Sequence, residues 1–147
     1  METIIINSAK RVYEQLGPGH AETTYQKALG HELSTHQIKF DLERHLSVTY
    51  IDSINNIHHL TSDRIDVFIH DNDIYNEGNI ILELKATLKG IQEQEITQIQ
   101  KYFRQLIKEN TKFTYGVIIN FPQPSSKNIN KEIDYLVINP HIKPITP

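Results

Sequence analysis

The sequence predicts an α/β fold in which a central mixed sheet of four to five strands is flanked by helices. Three observations support this prediction. Two segments of helical periodicity begin the chain, alternating strand patterns follow them, and a nearly all-apolar strand at 115–120 comes after a third helical segment. Because a strand that is apolar on both faces suits a sheet interior, we expect helices to cover both faces of this sheet.

The first two elements are predicted to be helices at residues 2–16 and 21–36, separated by Gly17-Pro18-Gly19, which ends the first. Apolar residues of each segment recur at helical spacing and form one stripe per helix. The stripes consist of Ile5, Ala9, Val12 and Leu16 in the first helix, and of Tyr25, Ala28, Leu29 and Leu33 in the second. Glu22 lies on the second stripe, in the first turn, so its carboxylate is expected to point inward.

A β-hairpin is predicted next in the chain. Residues 45–51 alternate, a turn follows at 53–56, and 57–60 reads as a short return strand. The side chains expected to share one face of the first strand are Leu46, Val48 and Tyr50.

Two further strands are predicted at 64–70 and 79–86. The connection between them, 71–78, is polar and rich in turn-forming residues. The two strands should therefore form an antiparallel hairpin.

The rest of the chain is predicted to contain one more helix, at 92–109, and the strand at 115–120. The apolar stripe of that helix consists of Ile96, Ile99, Phe103, Leu106 and Ile107. A loop at 122–130 is expected to lead to a last strand at 133–138 and an irregular, proline-spaced tail.

Length and composition restrict the class of protein. The 147 residues suit a single domain, with a core at about 5–122 and a C-terminal strand and tail at 123–147. The absence of cysteine excludes a disulfide scaffold, a thiolate metal site and a thiol nucleophile. No apolar run approaches the ~20 residues of a membrane span, and no signal peptide is evident, so a soluble intracellular (cytoplasmic) protein is expected. The net charge of -3 argues against a basic nucleic-acid coat protein, although not against a nucleic-acid enzyme.

The residues that carry chemistry are predicted on the second hairpin. If His70 pairs with Asn79, Asp66 lies directly opposite Glu83, and two carboxylates at that distance repel unless a cation lies between them. Lys85 shares a strand face with Glu83. A hard divalent ion would resolve the repulsion, which predicts a site for Mg²⁺ or Mn²⁺.

This set of side chains suits phosphodiester hydrolysis. Asp66, Glu83 and the backbone carbonyl of Leu84 would hold the metal ion, and Lys85 would orient or help deprotonate the attacking water. Glu22 would complete the site, bound through water or at a second metal position, so that the acids share a common pocket. Two residues of the later helix, Gln98 and Tyr102, lie four apart and would hydrogen-bond the phosphate or the water.

The chain resembles the GxxExxY proteins. In the stretch 16–25, Gly19, Glu22 and Tyr25 match the motif that names the family. Further matching stretches follow in the family's order: Arg64-Ile65-Asp66, Ile81-Leu82-Glu83-Leu84-Lys85-Ala86, Gln98 with Tyr102, and Gly116-Val117-Ile118-Ile119-Asn120-Phe121. The resemblance covers roughly residues 5–122, where the sequence departs from the family in a longer connection at 71–78 and in Ile65 at the usual proline position.

This family belongs to the PD-(D/E)XK nuclease superfamily, so the resemblance implies a restriction-endonuclease-like core and nuclease activity. It places Asp66, Glu83 and Lys85 on the superfamily's catalytic signature. Gln98 and Tyr102 match a helix motif of the exonuclease-type branch. The implied cofactor is Mg²⁺ or Mn²⁺.

A nucleic acid, DNA rather than RNA, is the expected partner, without a membrane, and a homodimer is plausible. The basic residues expected to follow its backbone are Lys89, Lys101, Arg104 and Lys108. Two alternatives remain open. The fold could serve as a catalytically inactive nucleic-acid-binding or protein-interaction module, or the site could hydrolyse a small phosphoester.

Overall fold

The computed structural model describes residues 1–123 and 132–140. Within these residues the elements are α1 (Glu2–Leu16), α2 (Glu22–Thr35), β1 (Phe40–Ile51), β2 (Ile57–Ile69), β3 (Ile80–Lys85), α3 (Glu93–Lys108), β4 (Tyr115–Asn120) and β5 (Asp134–Ile138). The five strands form one sheet in the order β1-β2-β3-β4-β5. The β3–β4 pair is parallel and the other neighbouring pairs are antiparallel, so the predicted mixed sheet flanked by helices is confirmed.

The helices cover the two faces of the sheet. Residues of α1 and α2, including Ile5 and Leu29, pack in one buried cluster with Leu82 of β3. Residues of α3, including Phe103, pack in a second cluster with Ile81, the neighbour of Leu82 in the same strand. Because successive side chains of a strand point to opposite faces, β3 and β4 are buried on both sides, and their sequences are apolar throughout the centre.

A close approach between α3 and β4 depends on a glycine. A Cβ atom on Gly116 would collide with the Ile99 side chain and would lie 3.1 Å from Cζ of Phe103. Ile99 and Phe103 are both fully buried. The helix therefore lies directly on the backbone of the sheet at this position, which sets the height of α3 above β3 and β4.

The boundaries of the first hairpin differ from the prediction. β1 begins at Phe40 rather than at residue 45, and the strands predicted at 57–60 and 64–70 are a single strand, β2. The start of β1 is not evident from the sequence, because three of its first five residues are charged: Asp41, Glu43 and Arg44. The polar residues between 60 and 64 continue the ladder, with Ser62 paired to Ser47, because an antiparallel strand accepts polar side chains on a solvated face.

The predicted core is largely confirmed, with exceptions at its margins. Ile107 and Tyr50, both expected in apolar stripes, are 41% and 57% exposed. Ile107 lies in the last turn of α3 next to the fully buried Leu106, at the margin of the buried stripe, and Tyr50 lies near the tip of the first hairpin. The predicted loop at 122–130 falls largely outside the described residues, as does the tail after residue 140. No helix in the described parts of the chain combines the length and the apolar composition needed to cross a membrane.

Two neighbouring residues of α3 test the assignment of its buried face. Leu106 is fully buried whereas Ile107 is 41% exposed. Leu106→Ala should lower the free energy of unfolding by about 2–5 kcal/mol, because it removes buried methyl groups and leaves a cavity. Ile107→Ala, the control, should cost less than about 1 kcal/mol. Urea unfolding of both variants checks this, and equal losses would contradict the orientation of α3.

Candidate active site

The predicted register of the second hairpin is confirmed, and its ladder ends next to Asp66. The β2–β3 pairs run from Ile69 with Ile80 to Val67 with Leu82. Asp66 and Glu83 come next in register, but the strands separate there. Instead of a main-chain bond, Oδ2 of Asp66 accepts a hydrogen bond of 2.7 Å from the Leu84 amide. The Asp66 carboxylate therefore caps the open end of the hairpin.

A kink in β2 accompanies this separation. Ile65 packs in the cluster under α3 whereas Val67 packs in the cluster under α1 and α2, although residues two apart on a regular strand share a face. The interruption lies at Asp66 and at Glu43, the residue opposite it in β1. Glu43 has a φ of 54°, in the left-handed region, and the pairs on either side of these two residues are formed while their own is missing.

Gln26 of α2 stabilises the kink. Its side chain is buried, and its Nε2 donates a hydrogen bond of 2.7 Å to the main-chain carbonyl of Asp66. The same nitrogen lies 3.3 Å from Oε1 of Glu43. A carbonyl that the β-ladder leaves free is thus satisfied from the helix layer, as a buried polar group requires.

Glu83 lies on the α3 side of the sheet with Lys85. Glu83 is only 6% exposed, and its Oε2 has no hydrogen-bond partner among the described residues. Glu83 and the half-buried Lys85 line a cavity of about 380 Å³ whose other walls come from the N-terminal half of α3. The α3 residues that line it are Gln94, Glu95 and Gln98. A buried carboxylate oxygen without a partner is costly, so it marks a place where a ligand would be stabilising.

Both strand carboxylates have raised pKa values. The pKa of Asp66 is raised to about 6, mainly by burial and also by the charges of Glu43 and Glu22, while the Leu84 hydrogen bond and the Lys85 charge oppose the rise. Burial raises the pKa of Glu83 to about 8, with added repulsion from Asp66, which Lys85 opposes. Near neutral pH the pair therefore holds about one proton, mainly on Glu83, unless a further positive charge is present.

Glu22 is not buried as predicted. It is exposed in the first turn of α2 and lines a small cavity of about 50 Å³ with Asp66 and Glu43. The structure thus divides the predicted set, with Glu22 and Asp66 at one cavity and Glu83 and Lys85 at another. The common pocket expected for the acids is replaced by two cavities on either side of the β2–β3 opening, and Leu84 lines the one that holds Asp66.

The two predicted residues of α3 contact each other. Nε2 of Gln98 donates a hydrogen bond of 2.6 Å to the hydroxyl of Tyr102, and that hydroxyl donates one of 2.9 Å to the Arg64 carbonyl. Tyr102 is 2% exposed, and burial raises the pKa of its hydroxyl. Tyr102 therefore fastens α3 to β2 just before the kink, whereas Gln98 lines the cavity of Glu83.

The donor set fits a hard divalent cation. Asp66 and Glu83 supply carboxylate oxygens, one of them an orphaned buried atom, and both carboxyl groups have pKa values that a nearby cation would lower. Within residues 1–123 and 132–140, no group of three or more histidine, aspartate or glutamate side chains is arranged around one point. Ligands beyond these two carboxylates would be main-chain oxygens and water.

The four basic residues predicted to contact the nucleic-acid backbone differ in exposure and in contacts. Nζ of Lys101 lies 3.1 Å from Oδ2 of Asp63, and Nζ of Lys108 donates a hydrogen bond of 3.0 Å to the Thr49 carbonyl. Arg104 is exposed on α3, and Lys89 is exposed in the segment after β3. Two of the four cations are thus occupied by contacts with the first hairpin.

Several residues at the site were not identified from the sequence: Gln26, Glu43 and Glu95. Glu95 is 3% exposed and accepts a hydrogen bond of 2.9 Å from the Gln92 amide in a capping box at the start of α3. The spacing of Gln92 and Glu95 carries that signal. Nothing in the local sequence marks Gln26 or the left-handed Glu43.

Comparison with known proteins gives a family and a fold. A family model described as the PD-(D/E)XK nuclease superfamily matches residues 1–133. A solved structure, that of SSO0001, is similar in fold, with a TM-score of 0.52 and 13% sequence identity. The similarity covers 97% of this chain and 66% of that chain. A search of curated proteins found no match. The five-stranded mixed sheet between helices agrees with the predicted restriction-endonuclease-like core.

The raised pKa values predict how stability depends on pH without metal. A carboxyl group whose pKa is higher in the folded state stabilises the fold below its unfolded value, and this is lost as pH rises toward the folded value. For Glu83 that window runs from 4.5 to about 8. Across it, wild type in EDTA should lose unfolding free energy on the order of 1–3 kcal/mol.

Two variants isolate this effect in urea unfolding. Glu83→Gln cannot ionise, so its stability should decline less with pH over the same window. Glu14→Gln, an exposed position on α1, should keep the wild-type pH dependence. Parallel profiles for wild type and Glu83→Gln would contradict the assignment of the raised pKa to Glu83.

Proposed function

Because the chain belongs to the PD-(D/E)XK nuclease superfamily, we propose that it is a metal-dependent nuclease that hydrolyses phosphodiester bonds, in DNA rather than RNA. One observation carries this proposal. A buried Glu83 with an unpartnered oxygen lies beside Lys85, next to the Asp66 carboxylate that caps the opened hairpin. Such an arrangement is costly for a fold that binds nothing there.

Asp66, Glu83 and the main-chain carbonyl of Leu84 would hold Mg²⁺ or Mn²⁺, and Glu22 would contribute through water from the rim of the second cavity. When bound, the ion would supply Lewis acidity toward water and toward the scissile phosphate. The protein's own contribution is to hold the two carboxylates in place. The amide of Leu84 fixes Asp66 at 2.7 Å, and Gln26 fixes the kink that presents it.

Lys85 would act on the attacking water. It lines the same cavity as Glu83, and its charge opposes the raised pKa values of both strand carboxylates. From this place the ammonium group can orient the water, help to remove its proton and offset the charge that develops on the phosphate. Gln98 would hydrogen-bond the phosphate, and Tyr102 would hold Gln98 in position.

Finer features follow from the same proposal. The matches at Gly19, Glu22 and Tyr25 support membership in the GxxExxY proteins. Residues 1–147 would form a single domain. Tyr25 is fully buried, and its hydroxyl donates to the Gly17 carbonyl at 2.8 Å, which closes the loop before Glu22. Lys89 and Arg104 remain exposed cations for contact with substrate, and a homodimer would allow two copies to cut both strands of a duplex.

Metal binding can be measured without catalysis. Mg²⁺ or Mn²⁺ should raise the melting temperature of the wild-type protein, because a ligand that binds only the folded state adds about 2.7 kcal/mol at 100 times its Kd. The double variant Asp66→Asn, Glu83→Gln should lose the shift. Equal shifts in both proteins would place the metal elsewhere, and the lack of any shift would favour the binding-module alternative.

Activity should depend on Lys85. Lys85→Ala should reduce cleavage of plasmid, linear or single-stranded DNA in Mn²⁺ by about 100-fold or more, since it removes a group that acts on the water and the developing charge. Lys39→Ala is the matched control, because Lys39 is exposed just before β1, at the opposite end of the sheet from Lys85. Equal cleavage by wild type and Lys85→Ala would indicate a contaminating nuclease. An RNA strand and a small phosphoester in the same assay test the substrate class.

A further inference from the structure

The first hairpin extends beyond the rest of the sheet. β2 pairs with β3 only as far as Val67, whereas it pairs with β1 from Ile69 to Ile57, with interruptions at Asp66 and at the bulge between Val48 and Thr49. Residues 44–65 therefore form a two-stranded ribbon, here called the β1–β2 arm, that begins at the kink beside Asp66 and continues away from β3. The arm contains none of the acids Glu22, Asp66 and Glu83, and it begins next to Asp66.

One face of the arm is covered by α3. Leu46 and Ile65 are 1% and 0% exposed in the cluster beneath that helix. On the same face Asp63 forms its ion pair with Lys101 at 3.1 Å. At the bulge between Val48 and Thr49, the Thr49 amide donates a hydrogen bond of 3.1 Å to Oε1 of Gln105. These contacts join the arm to α3, and the ion pair engages Asp63, the carboxylate of the arm that lies near the site.

The other face of the arm is open. Because side chains alternate along a strand, the Arg64 side chain points to the face opposite that of Asp63 and Ile65. His45, the cross-strand partner of Arg64, lies on the same face as Arg64. The next pair on this face is Ser47 with Ser62. Arg64, His45 and Ser62 are exposed, and no carboxylate in the described chain lies within ion-pair distance of Arg64.

This open face is chemically suited to phosphates. It presents a guanidinium group, an imidazole and two hydroxyls in two rows about 7 Å apart, and no acid. It leads into the cavity of Asp66, Glu43 and Glu22, which lies on the α2 side of the sheet. On α3, by contrast, Lys101 and Lys108 are already engaged by Asp63 and Thr49.

We propose that the open face of the β1–β2 arm, formed by His45, Ser47, Ser62 and Arg64, binds the sugar-phosphate backbone of the nucleic-acid substrate and directs it into the metal site. This inference rests on the proposed nuclease function and specifies how the substrate is held. Phosphate contacts position a strand without reading its sequence, so the arm would guide substrates of any sequence.

Binding of a fluorescein-labelled DNA single strand and of its duplex, measured by anisotropy in EDTA over a range of salt, tests the proposal. Arg64→Gln should weaken affinity about threefold to tenfold at low salt and reduce the slope of log K against log salt by about 1. Its melting temperature should not change, since the contact of Arg64 with Tyr102 uses the main chain. Arg104→Gln removes one charge from α3 and should lose less, and Lys39→Gln should bind as wild type does.

The outcomes separate this inference from the proposed function. If wild type cuts DNA in Mn²⁺ but Arg64→Gln keeps its affinity, its salt slope and its KM, the arm does not bind the backbone and only this inference fails. A larger loss for Arg104→Gln would assign the backbone to α3 and overturn it as well. If wild type neither binds nor cuts either strand form, both proposals fail.

Discussion

The structure of the site depends on the burial of two carboxylates where β2 leaves β3. Asp66 and Glu83 come next in register, yet no main-chain pair joins them, and burial raises the pKa of both. A fold made only for stability would place apolar residues there, since buried like charges oppose folding. The surrounding contacts hold this unfavourable pair in place, as the proposed metal site requires.

Both helix layers contribute to that restraint. From one side, Gln26 of α2 satisfies the main-chain carbonyl that the kink leaves free. From the other side, Tyr102 of α3 bonds to the carbonyl of Arg64, two residues earlier in β2. The strand is thus held on both faces just where its alternation is interrupted. Strain of this kind persists when neighbouring contacts determine the geometry, and it is concentrated at functional sites.

The sequence predicts the parts of this arrangement that depend on periodicity. The polar, turn-forming connection at 71–78 predicts the second hairpin, and pairing His70 with Asn79 across it is the register that the structure has. The kink was not predictable, since Glu43 is not a residue type that marks a left-handed conformation. The exposure of Glu22 and the ion pair of Lys101 with Asp63 also depend on tertiary packing, which places one element against another far along the chain.

The absence of a side chain at Gly116 affects the cavity of Glu83 as well as the packing of α3. Since α3 rests on the backbone of β4 at Gly116, this residue sets the height of the helix above the sheet. Gln98, adjacent to Ile99 in the same helix, lines the cavity of Glu83, so its position depends on the same contact. A bulkier residue at position 116 would lift the helix and widen the cavity of Glu83, although neither Asp66 nor Glu83 would be changed.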